Sequence, residues 1–344
     1  AIAAVAREGG ARLVRRELAG GPARARNAGL AATTAPLVAF VDSDTRPQGD
    51  WLAPLLAHFS DPGIAAVAPR IAVPPGDSLL AAYEAVRSPL DLGAAPGVVG
   101  PGRRVGFVPA AALVARRDAL RGGFDEAMRV GEDVDLVWRL AAVGWTVRYE
   151  PTSRVEHPHR ADVRSWLAQR VAYGASAGPL AVRHPGRLRH VVLPTWALLP
   201  WLLALAGRPR AAVVAGAGGT ALFCWRLPDV PGARRQIAGV AAATQLRLAR
   251  QVLDGAWRAY PPLVLAGAAG SRRGRRLATA GLSVSIAVDW AQRRPRLDLL
   301  RFGVLRTADD LAYAAGVWLG CLRSRTPGPL IPGLRRGSGS GKAA

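Results

Sequence analysis

Lysine is almost absent from this 344-residue sequence: Lys342 is the only one, so arginine carries nearly all of the positive charge. Cysteine is just as scarce. Cys224 and Cys321 stand far apart, which excludes a disulfide framework and any cysteine-based metal site. Long apolar runs are missing too. The longest, "VVLPTWALLPWLLALA" (191–206), is interrupted by Pro194 and Pro200 and falls short of the ~20 residues a spanning helix needs. A starting methionine and a signal peptide are also lacking, and the chain opens in the helix-like "AIAAVAREGG", as expected of a piece of a longer protein. Acids are scarce in one half only. Residues 1–175 hold 21 arginines against 18 acids, whereas residues 176–344 hold 25 basic residues against 6 acids. Because 50% of the residues are hydrophobic, general disorder is excluded. A balanced globular domain followed by a basic, apolar helical region is the expected organisation. Such a region suits an anionic membrane surface or nucleic acid.

What is present begins with alternation. "ARLVRRE" (11–17) reads as a strand, and "GPARARNAGLAATT" (21–34) as a helix entered through Gly21-Pro22. "PLVAFV" (36–41) is apolar at successive positions, as a buried strand is. A helix near 50–59, strands near 64–73 and 111–117, a helix over 132–143 ended by Gly144, a strand at 146–151 and an amphipathic helix over 161–177 follow. Short strands alternating with helices predict an α/β fold with a mostly parallel sheet. From 190 onward the apolar pieces are set between arginine clusters at 272–276 and 293–296, a pattern suited to helices lying in a membrane interface. A buried helical core with a basic outer face is the alternative.

Four groups of residues carry chemistry. The strand 36–41 runs into Asp42-Ser43-Asp44, and two carboxylates there either cap a turn or hold a hard cation such as Mg²⁺ or Mn²⁺. Glu132-Asp133 opens a helix, where acids meet the helix dipole, or where one of them serves as a general base. "VEHPHR" (155–160) places His157 and His159 after a strand, as surface residues or as ligands. "GPARARNAG" is a basic, glycine-rich helix start suited to phosphate oxygens.

Their order along the chain resembles the family 2 inverting glycosyltransferases, whose pattern is "GxxxARNxG", then "hhhhDxD", then "GGFDExxxxxEDxDLxxRL". The matches are Gly21, Ala25, Arg26, Asn27 and Gly29; Asp42 and Asp44; Gly122 through Glu126; and Glu132, Asp133, Asp135, Leu136 and Arg139. With "HPHR", "QRVAYG" (169–174) and the arginine-rich region, the chain looks most like that family's mycofactocin-system branch in actinobacteria. The resemblance implies a GT-A (nucleotide-diphospho-sugar transferase) domain over residues 1–180, a helical membrane-associated region over 181–335 and a flexible tail over 336–344. It implies Asp133 as catalytic base, and Glu132, Gln169, Arg170 and Tyr173 on the acceptor side. Arg26, Asn27, Asp42, Ser43 and Asp44 would face the donor, with Asp44 and His157 as ligands of Mg²⁺ or Mn²⁺.

The implied reaction moves a hexose, from UDP-glucose, onto a peptide-derived acceptor related to mycofactocin, or onto a lipid or cell-wall glycan. The implied place is the cytoplasmic face of the cell membrane. Two departures matter. "QRVAYG" stands where processive members carry "QxxRW", and the family's opening strands, with "SVVIPxxN" and "VVDDGSxD", are not found, so an incomplete nucleotide pocket is expected. An inactive membrane-binding fragment is one rival reading. A nucleic-acid-binding protein is the other, disfavoured because the basic residues alternate with Ala, Leu, Val and Trp.

Overall fold

The strand run and its carboxylates take the expected form in the computed structural model, which describes residues 2–17, 19–194, 198–225 and 233–335. The tail expected over 336–344 lies outside these residues. Helices α1 (Ile2–Glu8) and α2 (Gly21–Ala31) come first, the latter opened by Gly21 and Pro22. Then follow β1 (Leu37–Val41), β2 (Arg46–Pro47), α3 (Ala53–Leu56), β3 (Ile64–Ala72), α4 (Leu79–Arg87), β4 (Gly97–Val99) and β5 (Ala112–Arg116). Helix α5 (Glu132–Ala142), β6 (Thr146–Glu156), α6 (Val163–Ala175) and α7 (Ala177–Arg183) complete this part. The rest is chiefly helical: β7 (Val192–Pro194), α8 (Leu198–Leu205), α9 (Pro209–Trp225), α10 (Ala233–Ala259), α11 (Pro261–Gly270), α12 (Arg272–Arg293), α13 (Leu299–Arg323) and β8 (Gly333–Arg335).

The sheet order is β1-β5-β3-β6-β2, with β4 also on β6. Strands β1, β3 and β6 point the same way. Strand β5, inserted between β1 and β3, and the short β2 and β4 run against them. The carboxyl ends of the three aligned strands therefore share one edge, where ligands of open α/β sheets bind. Val38, Phe40, Leu113 and Val147 bury against Leu136 and Val137 of α5 on one face. Leu55, Phe59, Ile64 and Val67 pack on the other.

Three expectations change. Residues 11–16 form no strand; they are exposed, and Arg12 donates instead to the Ala32 carbonyl at 2.9 Å. Strand β6 runs five residues past 151 because its pairing with β3 resumes after an irregularity between Pro69 and Arg70. The third concerns α6. Its buried residues are Trp166, Arg170 and Gly174, one stripe at four-residue spacing that mixes an aromatic, a cation and a glycine.

That stripe receives α13, so packing crosses position 180 without a break. The crossing is close: a Cβ on Gly174 would meet the Tyr313 carbonyl oxygen at 2.1 Å, and one on Gly316 the Val171 carbonyl oxygen at 2.1 Å. Ion pairs add to it. Arg87 of α4 bonds Asp289 at 2.6 Å and Asp310 at 3.1 Å, and Arg306 lies 3.1 Å from Asp289. Three acids of the basic half, Asp289, Asp309 and Asp310, are thus consumed inside, against arginines from both halves.

Candidate active site

Register builds the site. Arg46 of β2 pairs with Glu156 of β6, which sets Asp44, just before β2, beside His157, just after β6. Asp44 Oδ1 lies 3.4 Å from His157 Nε2. One ligand atom from each of Asp42, Asp44 and His157 falls within 4.8 Å of the others. The tautomer of His157 follows from its neighbour. Nδ1 sits 2.9 Å from the Pro158 carbonyl oxygen, which can only accept, so Nδ1 carries the proton. His157 Nε2 then faces the Asp44 carboxylate, and a cation between the two would take a ligand from each. Two carboxylates and an imidazole suit a divalent ion such as Mn²⁺ or Mg²⁺.

The turn does not need these carboxylates. It closes through the Thr45 N–H donating to the Asp42 carbonyl at 2.9 Å, and Asp42 N–H donates to the Ala111 carbonyl at 2.8 Å. The Asp42 side chain faces Arg26 instead. Arg26 Nη2 donates to its two oxygens at 2.8 and 3.1 Å, while Nη1 donates to Glu132 Oε1 at 2.7 Å. Arg26 is only 10% exposed and Glu132 7%, so one buried guanidinium joins the two acidic motifs. Asp42 and Glu132 hold its pKa up against the effect of burial. Ser43 is exposed between the two aspartates.

Asn27 is bonded within the protein. Its amide nitrogen donates to the Phe124 carbonyl at 2.9 Å, and its oxygen accepts from the Phe124 N–H at 2.8 Å. Both ends of the amide are committed to the "GGFDE" loop, which Asn27 clamps against α2.

Asp133 follows Glu132 at the start of α5. Its carboxylate accepts from the N–H groups of Val134 at 2.8 Å and Ala110 at 3.4 Å. Burial, then the neighbouring Glu132 charge, pushes its pKa up to about 6. Helix-dipole stabilisation alone would move it down, so the dipole does not decide the electrostatics here. Asp135, two residues further on and buried, accepts from Arg139 Nε at 2.7 Å and lies 2.9 Å from His184 Nε2, tying α5 to the end of α7.

A cleft runs from His157 past His159 to Gln169 and Tyr173, with Glu84 and Arg170 at its floor. Gln169 and Tyr173 therefore line the same cleft as His157. Arg170 does not face the cleft freely. It is 1% exposed, paired with Glu84, and its Nε lies 3.0 Å from Asp309 Oδ1. Burial raises the Tyr173 hydroxyl to about 12, and the Asp133 charge adds to the shift, so it stays a hydrogen-bond donor. Neither Glu84 nor His184 carries a local signal in the sequence. The Asp135–Arg139 pair was legible at i,i+4 spacing.

Residues 1–96 match the domain described as "Glycosyl transferase family 2". The chain is 43% identical over 333 residues to the pre-mycofactocin glycosyltransferase of Mycobacterium tuberculosis, in strain CDC 1551 / Oshkosh and equally in strain ATCC 25618 / H37Rv. The match covers 92% of this chain and 70% of those proteins. Among solved structures, the mannosyltransferase PcManGT from Pyrobaculum calidifontis, in complex with GDP-Man and Mn2+, superposes with a TM-score of 0.39 at 17% identity. That superposition covers 85% of this chain and 74% of the other.

Proposed function

The chain belongs to glycosyltransferase family 2, among the pre-mycofactocin glycosyltransferases, and from that premise we propose a metal-dependent, inverting hexosyltransferase. The observation that supports this is Arg26, which binds Asp42 on one side and Glu132 on the other and so ties a carboxylate of the cation group to the helix start that carries Asp133. The donor is a nucleoside-diphosphate hexose, UDP-glucose in our reading. The acceptor is a hydroxyl on a small peptide-derived molecule, the mycofactocin precursor.

Asp42, Asp44 and His157 would hold Mg²⁺ or Mn²⁺, which supplies charge stabilisation to the departing diphosphate. Asp133 takes the proton of the acceptor hydroxyl. The acceptor oxygen forms its bond to the anomeric carbon from the face opposite the bond to the diphosphate, which breaks with its electron pair, so the configuration inverts. No protein nucleophile is needed. Glu132, fixed by Arg26, and the amide and hydroxyl of Gln169 and Tyr173 orient the acceptor. Arg170 acts beneath them as a positioning residue, and Asn27 holds the "GGFDE" loop. The basic residues do not favour nucleic acid: Arg87, Arg170 and Arg306 are spent on internal ion pairs. No helix among the described residues is long and apolar enough to cross a membrane. The exposed Leu199, Leu202, Val213 and Val214 support attachment at the cytoplasmic membrane face, where nucleotide sugars are available. They also favour a second reading of the acceptor as a lipid-linked or cell-wall glycan.

The test is transfer from UDP-glucose to each acceptor. Asp133→Asn is expected to lower kcat by about 10²-fold or more with donor affinity retained. Glu132→Gln should cost less. Equal and mild losses in both would reject Asp133 as the base.

A further inference from the structure

Two turns far apart in the sequence meet in the fold. The turn from α8 to α9 carries Gly207, Arg208 and Arg210, and the first turns of α12 carry Arg272, Arg273, Arg275 and Arg276. A Cβ on Gly207 would lie 2.9 Å from a guanidinium nitrogen of Arg273, so the two turns touch. All six arginines are exposed. Residues 198–225 and 261–288 contain no acid at all. Elsewhere in the helical region Arg250, Arg258, Arg293 and Arg306 bond Asp254, Asp289 or Asp310.

The helices behind these turns expose large apolar side chains, among them Leu202 at 60%, Val213 and Val214 at 71%, and Leu263 at 63%. Their length fixes how they can sit. Eight-residue α8 and ten-residue α11 reach roughly 12 and 15 Å, about half of a ~30 Å hydrocarbon core. Helices this short lie at the acyl boundary, which leaves the arginines at headgroup depth, where guanidinium forks match phosphate oxygens.

We propose that the joined α8–α9 and α11–α12 turns form a docking surface for anionic phospholipid headgroups, with the apolar faces of α8, α9 and α11 resting on the acyl chains. The inference rests on the membrane attachment proposed above and narrows it to one place and one headgroup charge. Flanking leucines and valines argue for lipid over nucleic acid, which would leave that surface in water.

The experiment is sedimentation of the full chain with vesicles of phosphatidylcholine alone or mixed with phosphatidylglycerol. The wild type should partition to the mixed vesicles far better, and high salt should release only part of it, because the apolar contribution is unscreened. R272Q/R273Q/R275Q/R276Q should weaken that partitioning on the order of a hundredfold or more at low salt. R208Q/R210Q, on the other turn, should weaken it about tenfold. Equal partitioning of the wild type to both vesicle types, or wild-type partitioning by both variants, would overturn the headgroup assignment alone. Binding to neither vesicle would overturn the membrane attachment as well. Tight binding of duplex DNA at physiological salt, lost in the same variants, would reassign the surface to nucleic acid.

Discussion

Arg170→Met separates a residue that touches the acceptor from one that holds the cleft together. The guanidinium sits between α4 and α13: Nη2 donates to Glu84, and Nε makes an ion contact of 3.0 Å with Asp309. It also stands 5.3 Å over the Trp166 ring. Asp309 keeps other partners when it goes, accepting from the Tyr83 hydroxyl at 2.8 Å with Arg258 at 3.8 Å. Glu84 does not. Its side chain is 4% exposed, and among the described residues Arg170 is its one cation; only the Trp166 N–H, at 2.8 Å, would still bond it. Removing one member of a buried pair strands the other charge and costs about 3–5 kcal/mol. Set against the ~5–15 kcal/mol of a typical domain, that is a large fraction. Urea unfolding of Arg170→Met should therefore show a lower midpoint at unchanged slope. Adding Glu84→Gln, which removes the stranded charge, should recover part of the loss. Acceptor KM, measured well below the unfolding transition, should change little. Wild-type stability combined with a raised acceptor KM would refute this reasoning and return Arg170 to the acceptor.

The pH response of Asp133 has a definite sign. Its carboxyl holds a proton up to about 6 in the fold against an ordinary 3.8, so kcat/KM should rise as pH climbs through about 6 and the base ionises. Over the same window the unfolded chain binds fewer protons than the folded one, so Asp133 lowers stability as pH rises from 3.8 to about 6. Asp133→Asn should therefore melt higher than wild type at neutral pH while losing activity, and a lower melting point there would contradict the burial argument. Asp44→Asn and His157→Ala should each weaken Mn²⁺ binding at least tenfold by calorimetry, and EDTA should stop transfer; unchanged affinity in both variants would dissolve the proposed ligand set. Gly316→Val should destabilise by about 3 kcal/mol, since its Cβ would meet backbone at 2.1 Å, whereas Gly218→Ala, with open space around it, should be neutral.

The sequence alone determined what is local. An apolar run ending in Asp42 and Asp44 is a strand meeting a turn whatever surrounds it, and the periodicity of 132–143 marks α5 to within one residue of its observed end. The ordered motifs also picked out Arg26, Asp42 and Glu132, which the fold brings into contact. What depended on contacts between distant segments was not legible. Asp44 meets His157 only through the register of β2 on β6, which no local pattern encodes. The sequence puts Arg26 in a basic, glycine-rich helix start; only the tertiary structure makes it the bridge from Asp42 to Glu132. For Arg170 and the basic half the limit has one common cause. A charge count records how many arginines there are, whereas pairing with Glu84, Asp289, Asp309 and Asp310 across helices decides which of them are buried counter-ions, and the fold decides that six exposed ones meet on two touching turns.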